Sequence, residues 1–254
     1  MAESVVIFEV DGGVARITMN RPDKRNALND ELVAGLKSAL RQADNDDEVR
    51  VVILSGAGPD FCAGADLTAL QKIATASVAE NLDDARSLME LFVLLREVRI
   101  PIIAAVRGRA LAGGCGLALG CDLVMAETEA RFGFPEVKIG FVPAIVMTIL
   151  RRNVSEKKAF ELVSLGEEIP AAEAASIGLI NRAVAAASFD SEVNRLAAKL
   201  ARLSPAAVAL SKQLLYKIDS LSFADAIECG VDVNVTARMS EDCKKGIARF
   251  LSRE

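Results

Sequence analysis

The sequence predicts an α/β fold, and three features carry that reading. Strand-like runs of β-branched residues alternate with amphipathic helical stretches up to about Pro143. Beyond it the chain reads as almost wholly helical. Third, residues 5–10 and 14–19 flank Asp11-Gly12-Gly13, a turn sequence whose glycines supply the positive φ that a tight hairpin needs.

Taken in order, the hairpin is followed by a helix over 29–44, with Leu32, Leu36, Leu40 and Ala43 on one face. The run 51–54 reads as a buried strand and 55–66 as an irregular loop. Segment 68–80 is polar and Ala-rich, and segments that follow a binding loop often move. A second long helix is predicted over 81–98, then a strand over 102–106 started by Pro101, and another over 123–126. Strands covered on both sides read as continuous apolar runs, as these do. After Pro143, helices are predicted over 155–165, 171–177, 191–203, 206–218, 223–239 and 241–251, with a short strand over 180–184. Ser204-Pro205 and Ser220-Leu221-Ser222 break the series. This divides the chain into a core over 1–190 and a helical region over 191–254, whose apolar faces point to oligomerisation.

Composition narrows the function. The 254 residues are 52% hydrophobic and 26% charged, ordinary for a globular chain with a sizeable core. A net charge of −5 without a long basic run argues against a nucleic-acid or anionic-membrane partner. No apolar run is long enough to span a bilayer, and the start MAESVVIFEV has no signal-peptide pattern, so a cytoplasmic location is expected. The five cysteines form no CxxC pair and are expected to be reduced and structural, Cys115 included. Histidine is absent, which excludes Ser-His-Asp and Cys-His chemistry and histidine-ligated metal. Acid–base work falls to carboxylates, lysine, tyrosine or water, and no metal is expected.

Two glycine-rich loops carry the chemistry: Phe61-Cys62-Ala63-Gly64-Ala65-Asp66 and Ala112-Gly113-Gly114-Cys115-Gly116. Each follows a predicted strand and the second opens a short helix, so their backbone amides are available to an anion or oxyanion. Taken singly, either is better read as a tight strand-to-helix connection.

Together the motifs are more specific. FCAGADL at 61–67, NRPDKRNALN at 20–29, AGGCGLALGCDLVMA at 112–126 and FGFPEVKIGFVP at 132–143 resemble the crotonase family, which includes enoyl-CoA hydratases and isomerases. The likeness extends through Gly178-Leu179-Ile180-Asn181 to the terminal SEDCKKGIARFL. The resemblance implies a crotonase-like spiral of ββα turns with a helical C-terminal trimerisation region, giving a homotrimer or a dimer of trimers. It implies an acyl-CoA thioester as substrate, with no permanently bound cofactor.

Position by position, the resemblance implies an oxyanion hole made by the backbone amides of Ala65 and Gly113. It places Lys24, Arg25, Ala27, Leu28, Ala63, Asp66 and Leu67 along the CoA moiety, with Asp66 ordering its own loop and Asp122 structural. Glu136 matches the second catalytic glutamate of the hydratases. The first falls at Gly116, which has no side chain. Two carboxylates position one water for hydration, whereas a double-bond shift needs only one base, so the expected reaction is isomerisation through Glu136. A hydratase using another carboxylate, from the Glu80-to-Asp84 stretch, is the second reading. Thioester hydrolysis or decarboxylation is a third, and a non-catalytic CoA-ester-binding subunit a fourth. Ala144-Ile145-Val146-Met147 stands where many hydratases have a glycine-rich turn, which reshapes the acyl pocket.

Overall fold

Asp11-Gly12-Gly13 folds as a tight hairpin turn, with φ of +55° and +81° at its two glycines. It joins β1 (Val6–Asp11) to β2 (Val14–Met19), with Asp11 paired to Val14. This computed structural model describes residues 4–252, and the side chains of Leu67 and Leu70 also lie outside the described residues. A 3-10 turn (Pro22–Lys24) leads to α1 (Asp30–Asn45) and β3 (Val51–Gly56). Next come α2 (Leu67–Thr75), α3 (Val78–Glu97), β4 (Ile102–Val106), β5 (Arg109–Leu111) and α4 (Gly113–Gly120). Then follow β6 (Leu123–Glu127), β7 (Arg131–Gly133), a 3-10 helix (Pro135–Ile139), α5 (Ala144–Asn153) and α6 (Glu156–Leu165). β8 (Glu168–Pro170), α7 (Ala171–Ser176), β9 (Arg182–Val184) and α8 (Phe189–Ala201) complete the α/β part. The chain ends in α9 (Pro205–Lys217), α10 (Phe223–Met239) and α11 (Glu241–Leu251).

Among the described residues the strands form two sheets. The larger runs β1-β2-β3-β4-β6-β9 and is parallel apart from the opening hairpin; the smaller runs β5-β7-β8. A repeating step generates both. β4 lies in the large sheet, β5 in the small one, and α4 follows; β6 and β7 repeat the move before α5 and α6. β3 starts the same step, because Cys62 bridges to Ala110 of β5 before α2 and α3. This is the ββα spiral expected from the resemblance.

Strand periodicity sets the layers. Val52 and Leu54 of β3 face the main core with Ala104 of β4, whereas Val51 and Ile53 face a second layer with Ile103 and Ala105. α8 covers that second layer with Phe189, Val193 and Ala197. Through these contacts it packs on the α/β part, although sequence alone groups most of it with the terminal helices.

Helix starts follow their caps. Asn29 accepts the Leu32 amide at the head of α1, and Ser77 with Glu80 forms a capping box on α3. The polar segment expected to move is therefore α2 and the first turn of α3. Three short strands, β5, β7 and β8, and helices α2 and α5 are absent from the sequence reading. Strands of three residues offer too few positions for alternation to register. α5 has no side-chain cap at Pro143, so it lacks a start signal.

The terminal helices are tied to the spiral by one buried cation. Lys212 Nζ donates to Asp122 Oδ2 at 2.8 Å and to the carbonyls of Leu95 and Ile100, while Tyr216 donates to Asp122 Oδ1 at 2.7 Å. Asp122 Oδ2 also accepts the Ile102 amide, which bears out its structural reading. Removing one partner strands the other charge, so Lys212→Ala is expected to destabilise the fold by about 3 kcal/mol or more. A denaturation midpoint equal to that of the parent would contradict this. Further out, Phe223, Ile227, Val231, Val235 and Met239 recur every four residues along α10 and are all exposed, an apolar stripe of helical period.

Candidate active site

Backbone hydrogen bonds draw three distant segments into one cradle. Ala63 N donates to Arg25 O, Leu28 N to Gly64 O and Asp66 N to Leu28 O, which joins 25–28 to the first glycine loop. Phe61 N donates to Arg107 O, Cys62 N to Arg109 O and Leu111 N to Cys62 O, which joins that loop to the segment before α4. The glycines permit this closeness. A Cβ on Gly64 would stand 2.9 Å from Ala112 Cβ, and one on Gly114 would strike the carbonyl and thiol of Cys62.

Among the described residues, neither the Ala65 nor the Gly113 amide donates a hydrogen bond, whereas the amides of Asp66 and Ala112 beside them do. Gly113 is the first residue of α4, where an amide has no intrahelical partner. Ala112 before it holds φ +51° and ψ −125°, a strained conformation for a residue with a Cβ. The Ala112 amide donates to Gly133 O at 2.8 Å, and its carbonyl accepts Gly116 N. Both bonds hold the strained residue in place.

The bond to Gly133 ties the end of β7, which leads into the Glu136 turn, to Ala112 at the head of α4. Glu136 is only 9% exposed, on an apolar 3-10 helix started by Pro135. Its Oε2 is buried without a hydrogen-bond partner among the described residues. Burial pushes its pKa up from the ordinary carboxylate value, since the charged form has lost its water. Its charge in turn reaches Cys115 and adds to the rise that burial imposes on that thiol. The sequence placed Glu136 on a Pro-marked turn, and tertiary packing desolvates it.

Gly116, one turn along α4, is fully enclosed. A Cβ there would run into Val146 and stand 3.3 Å from Phe92 Cζ. The atoms nearest to that Cβ are all hydrocarbon, from Val146 and Phe92. In the Glu80-to-Asp84 stretch, Glu80 is engaged in the α3 capping box and Asp83 is exposed near Arg86. Asp84 is raised in pKa, by burial and by the charge of Asp30.

The remaining predicted residues divide by burial. Ala27 and Leu28 are buried and Ala63 half-buried in the cradle, whereas Lys24 and Arg25 project from its exposed rim. Leu67 opens α2, and its side chain lies outside the described residues. Asp66 caps α2 by accepting the Thr68 amide and hydroxyl, and it pairs with Arg21 at 2.7 Å. The Thr68 bonds first, and then Arg21, hold its carboxyl down at about 2, so it is a structural anion and a poor base. Burial raises Cys62 to about 12 and lifts Cys115 and Cys121 as well, so none of these thiols is an activated nucleophile.

Sequence reading missed Asn26 and Arg21. Asn26 is fully buried at φ +53°, accepts the Arg21 amide and donates to the carbonyls of Ala57 and Asp60. Arg21 binds Ala27 O as well as Asp66, so it locks the first segment to the glycine loop. The readable signal was an Asn within a Pro-led polar turn, the residue type that tolerates a left-handed backbone. Among the described residues there is no group of three or more His, Cys, Asp or Glu side chains placed to hold a metal.

Free amides on two glycine loops and a desolvated carboxylate nearby form the equipment of an enzyme that stabilises an oxyanion while moving a proton. The chain belongs to the enoyl-CoA hydratase/isomerase family, whose model matches residues 9–254, and its members hydrate or isomerise enoyl-CoA substrates. It is 40% identical to a putative enoyl-CoA hydratase of Thermus thermophilus over 95% of this chain and 96% of that one. It is 35% identical to the 2,3-dehydroadipyl-CoA hydratase of Escherichia coli, over 94% and 92% of the two chains. The crystal structure of an enoyl-CoA hydratase from Mycobacterium smegmatis superposes with a TM-score of 0.95 at 31% identity, covering 99% and 98% of the two chains.

Proposed function

We propose that this family member is an enoyl-CoA isomerase acting on an acyl-CoA thioester, with Glu136 as its single base. The carrying observation is the buried Glu136 Oε2, without a hydrogen-bond partner among the described residues, together with a glycine rather than a carboxylate at position 116. Glu136 removes a proton from C2 of a 3-enoyl-CoA. The electron pair delocalises into a dienolate whose thioester oxygen is held by the Ala65 and Gly113 amides. Glu136 then returns the proton at C4, leaving the double bond between C2 and C3. Lys24, Arg25, Ala27, Leu28, Ala63, Asp66 and Leu67 line the path of the CoA, and no resident cofactor takes part. Purified protein incubated with a 3-enoyl-CoA is expected to accumulate the conjugated 2-enoyl-CoA, followed by its absorbance. Absence of that product would refute the reading.

The names of the relatives favour a second reading, hydration of a 2-enoyl-CoA, with a carboxylate of the Glu80-to-Asp84 stretch, such as Asp84, as the second group. Rapid water addition to crotonyl-CoA, lost in Asp84→Asn, would establish it. Tight CoA-ester binding without turnover of any thioester would instead favour a non-catalytic subunit.

The exposed α10 stripe fits a homotrimer, or a dimer of trimers, in which neighbouring copies cover it. Ile227→Glu is expected to shift the light-scattering mass toward the monomer; an unchanged mass would place the interface elsewhere. Free, mostly buried cysteines suit a reducing, cytoplasmic setting.

A further inference from the structure

Gly116 and Val146 are a steric pair. A Cβ on Gly116 would run into Val146 Cγ1 and stand 2.9 Å from Val146 Cβ, with Phe92 Cζ behind at 3.3 Å. Val146 and Phe92 are 4% and 5% exposed, so the notch is filled by hydrocarbon. Val146 lies in the first turn of α5, directly after the Glu136 turn, and Phe141 N binds Glu136 O at 3.0 Å between them. Gly116 is one turn from Gly113 on α4. The pair therefore lies where α4, the helix that presents an oxyanion amide, packs on α5, the helix that follows the Glu136 turn.

We propose that Val146 determines the reaction specificity of this enzyme: its isopropyl group occupies the place beside Gly116 from which a second carboxylate would act with Glu136, and keeps that wall dry. The inference rests on the reading of Glu136 as the base. Hydration delivers a hydroxyl to C3 and a proton to C2, both from one water, and a held water needs two or more polar partners. Val146 and Phe92 side chains supply none. Isomerisation moves one proton from C2 to C4 and takes up no water, so the same wall leaves it unhindered. A β-branched side chain in a helix has one strongly preferred χ1, so Val146 does not readily swing aside.

Four proteins test this: the parent, Gly116→Glu, Val146→Gly, and the double variant. Each is assayed for crotonyl-CoA hydration, 3-enoyl-CoA isomerisation and thermal midpoint. Gly116→Glu alone is expected to lower the midpoint and gain no hydration. The double variant is expected to recover the midpoint and raise hydration kcat/KM about 100-fold over the parent, a gain lost on adding Glu136→Gln. Equal hydration by Gly116→Glu alone, or a folded double variant that hydrates no faster than the parent, would overturn the role of Val146. Should the glutamate variants not fold, Gly116→Ala in the Val146 and Val146→Gly backgrounds decides the steric claim. Its destabilisation is expected only with Val146 present, and equal losses in both backgrounds would refute the pairing. Isomerisation unaffected by Glu136→Gln in the parent would sink the assignment of the base alone, leaving that stability comparison to judge the pair.

Discussion

Glu136→Gln is expected to abolish isomerisation of a 3-enoyl-CoA, a fall of about 1,000-fold or more, while CoA-ester binding survives. The amide preserves size and the 3-10 helix started by Pro135 but cannot accept a proton from carbon. Retention of the parent rate would exclude Glu136 as the base. The parent's pH profile carries the same signature. Burial raises the Glu136 pKa, so activity on the free enzyme is expected to rise with pH through a limb above the ordinary glutamate range. The sign for stability is opposite. A carboxyl whose folded pKa is raised stabilises the fold below its unfolded pKa and loses that contribution as pH rises through the folded one. Glu136→Gln is therefore expected to melt above the parent at neutral pH, with the gap closing as pH falls to the unfolded glutamate value. A gap that stays constant with pH would show that desolvation of this carboxylate is not its origin.

Ala65→Pro is expected to cost 100-fold or more in kcat, because it deletes one proposed oxyanion donor, an interaction of about 3 kcal/mol in a transition state. Position 65 suits this experiment. Its amide makes no hydrogen bond among the described residues, while the flanking bonds from Leu28 N to Gly64 O and from Asp66 N to Leu28 O involve other atoms. The cradle thus retains its ladder. Ala65→Ser, which keeps the amide, is expected to retain near-parent kcat. Equal losses in both variants would mean that the side chain, not the backbone donor, carries the effect.

Legibility in the sequence followed element length and signal. The hairpin was readable from Asp11-Gly12-Gly13, α1 from its Leu32-Leu36-Leu40 stripe, and β3 and β4 from apolar runs that packing on both faces demands. α5 was not, since Pro143 gives no side-chain cap. Nor was the second sheet, whose strands span three residues each and are defined by partners far along the chain. In the site, the glycine loops and Glu136 stood out by residue type. Asn26 and Arg21 did not, because their importance lies in which distant carbonyls and carboxylates they meet.

By itself the sequence determined the α/β class, the family resemblance, the absence of histidine chemistry and the missing side chain at position 116. These are properties of residue identity and order. Only the tertiary structure decided that Glu136 is desolvated and, among the described residues, unpaired, that Asp66 is committed to Arg21 and Thr68, and that Val146 fills the notch at Gly116. Burial, ion pairing and steric exclusion depend on which distant segments meet, and hydrogen bonds between those segments set that here.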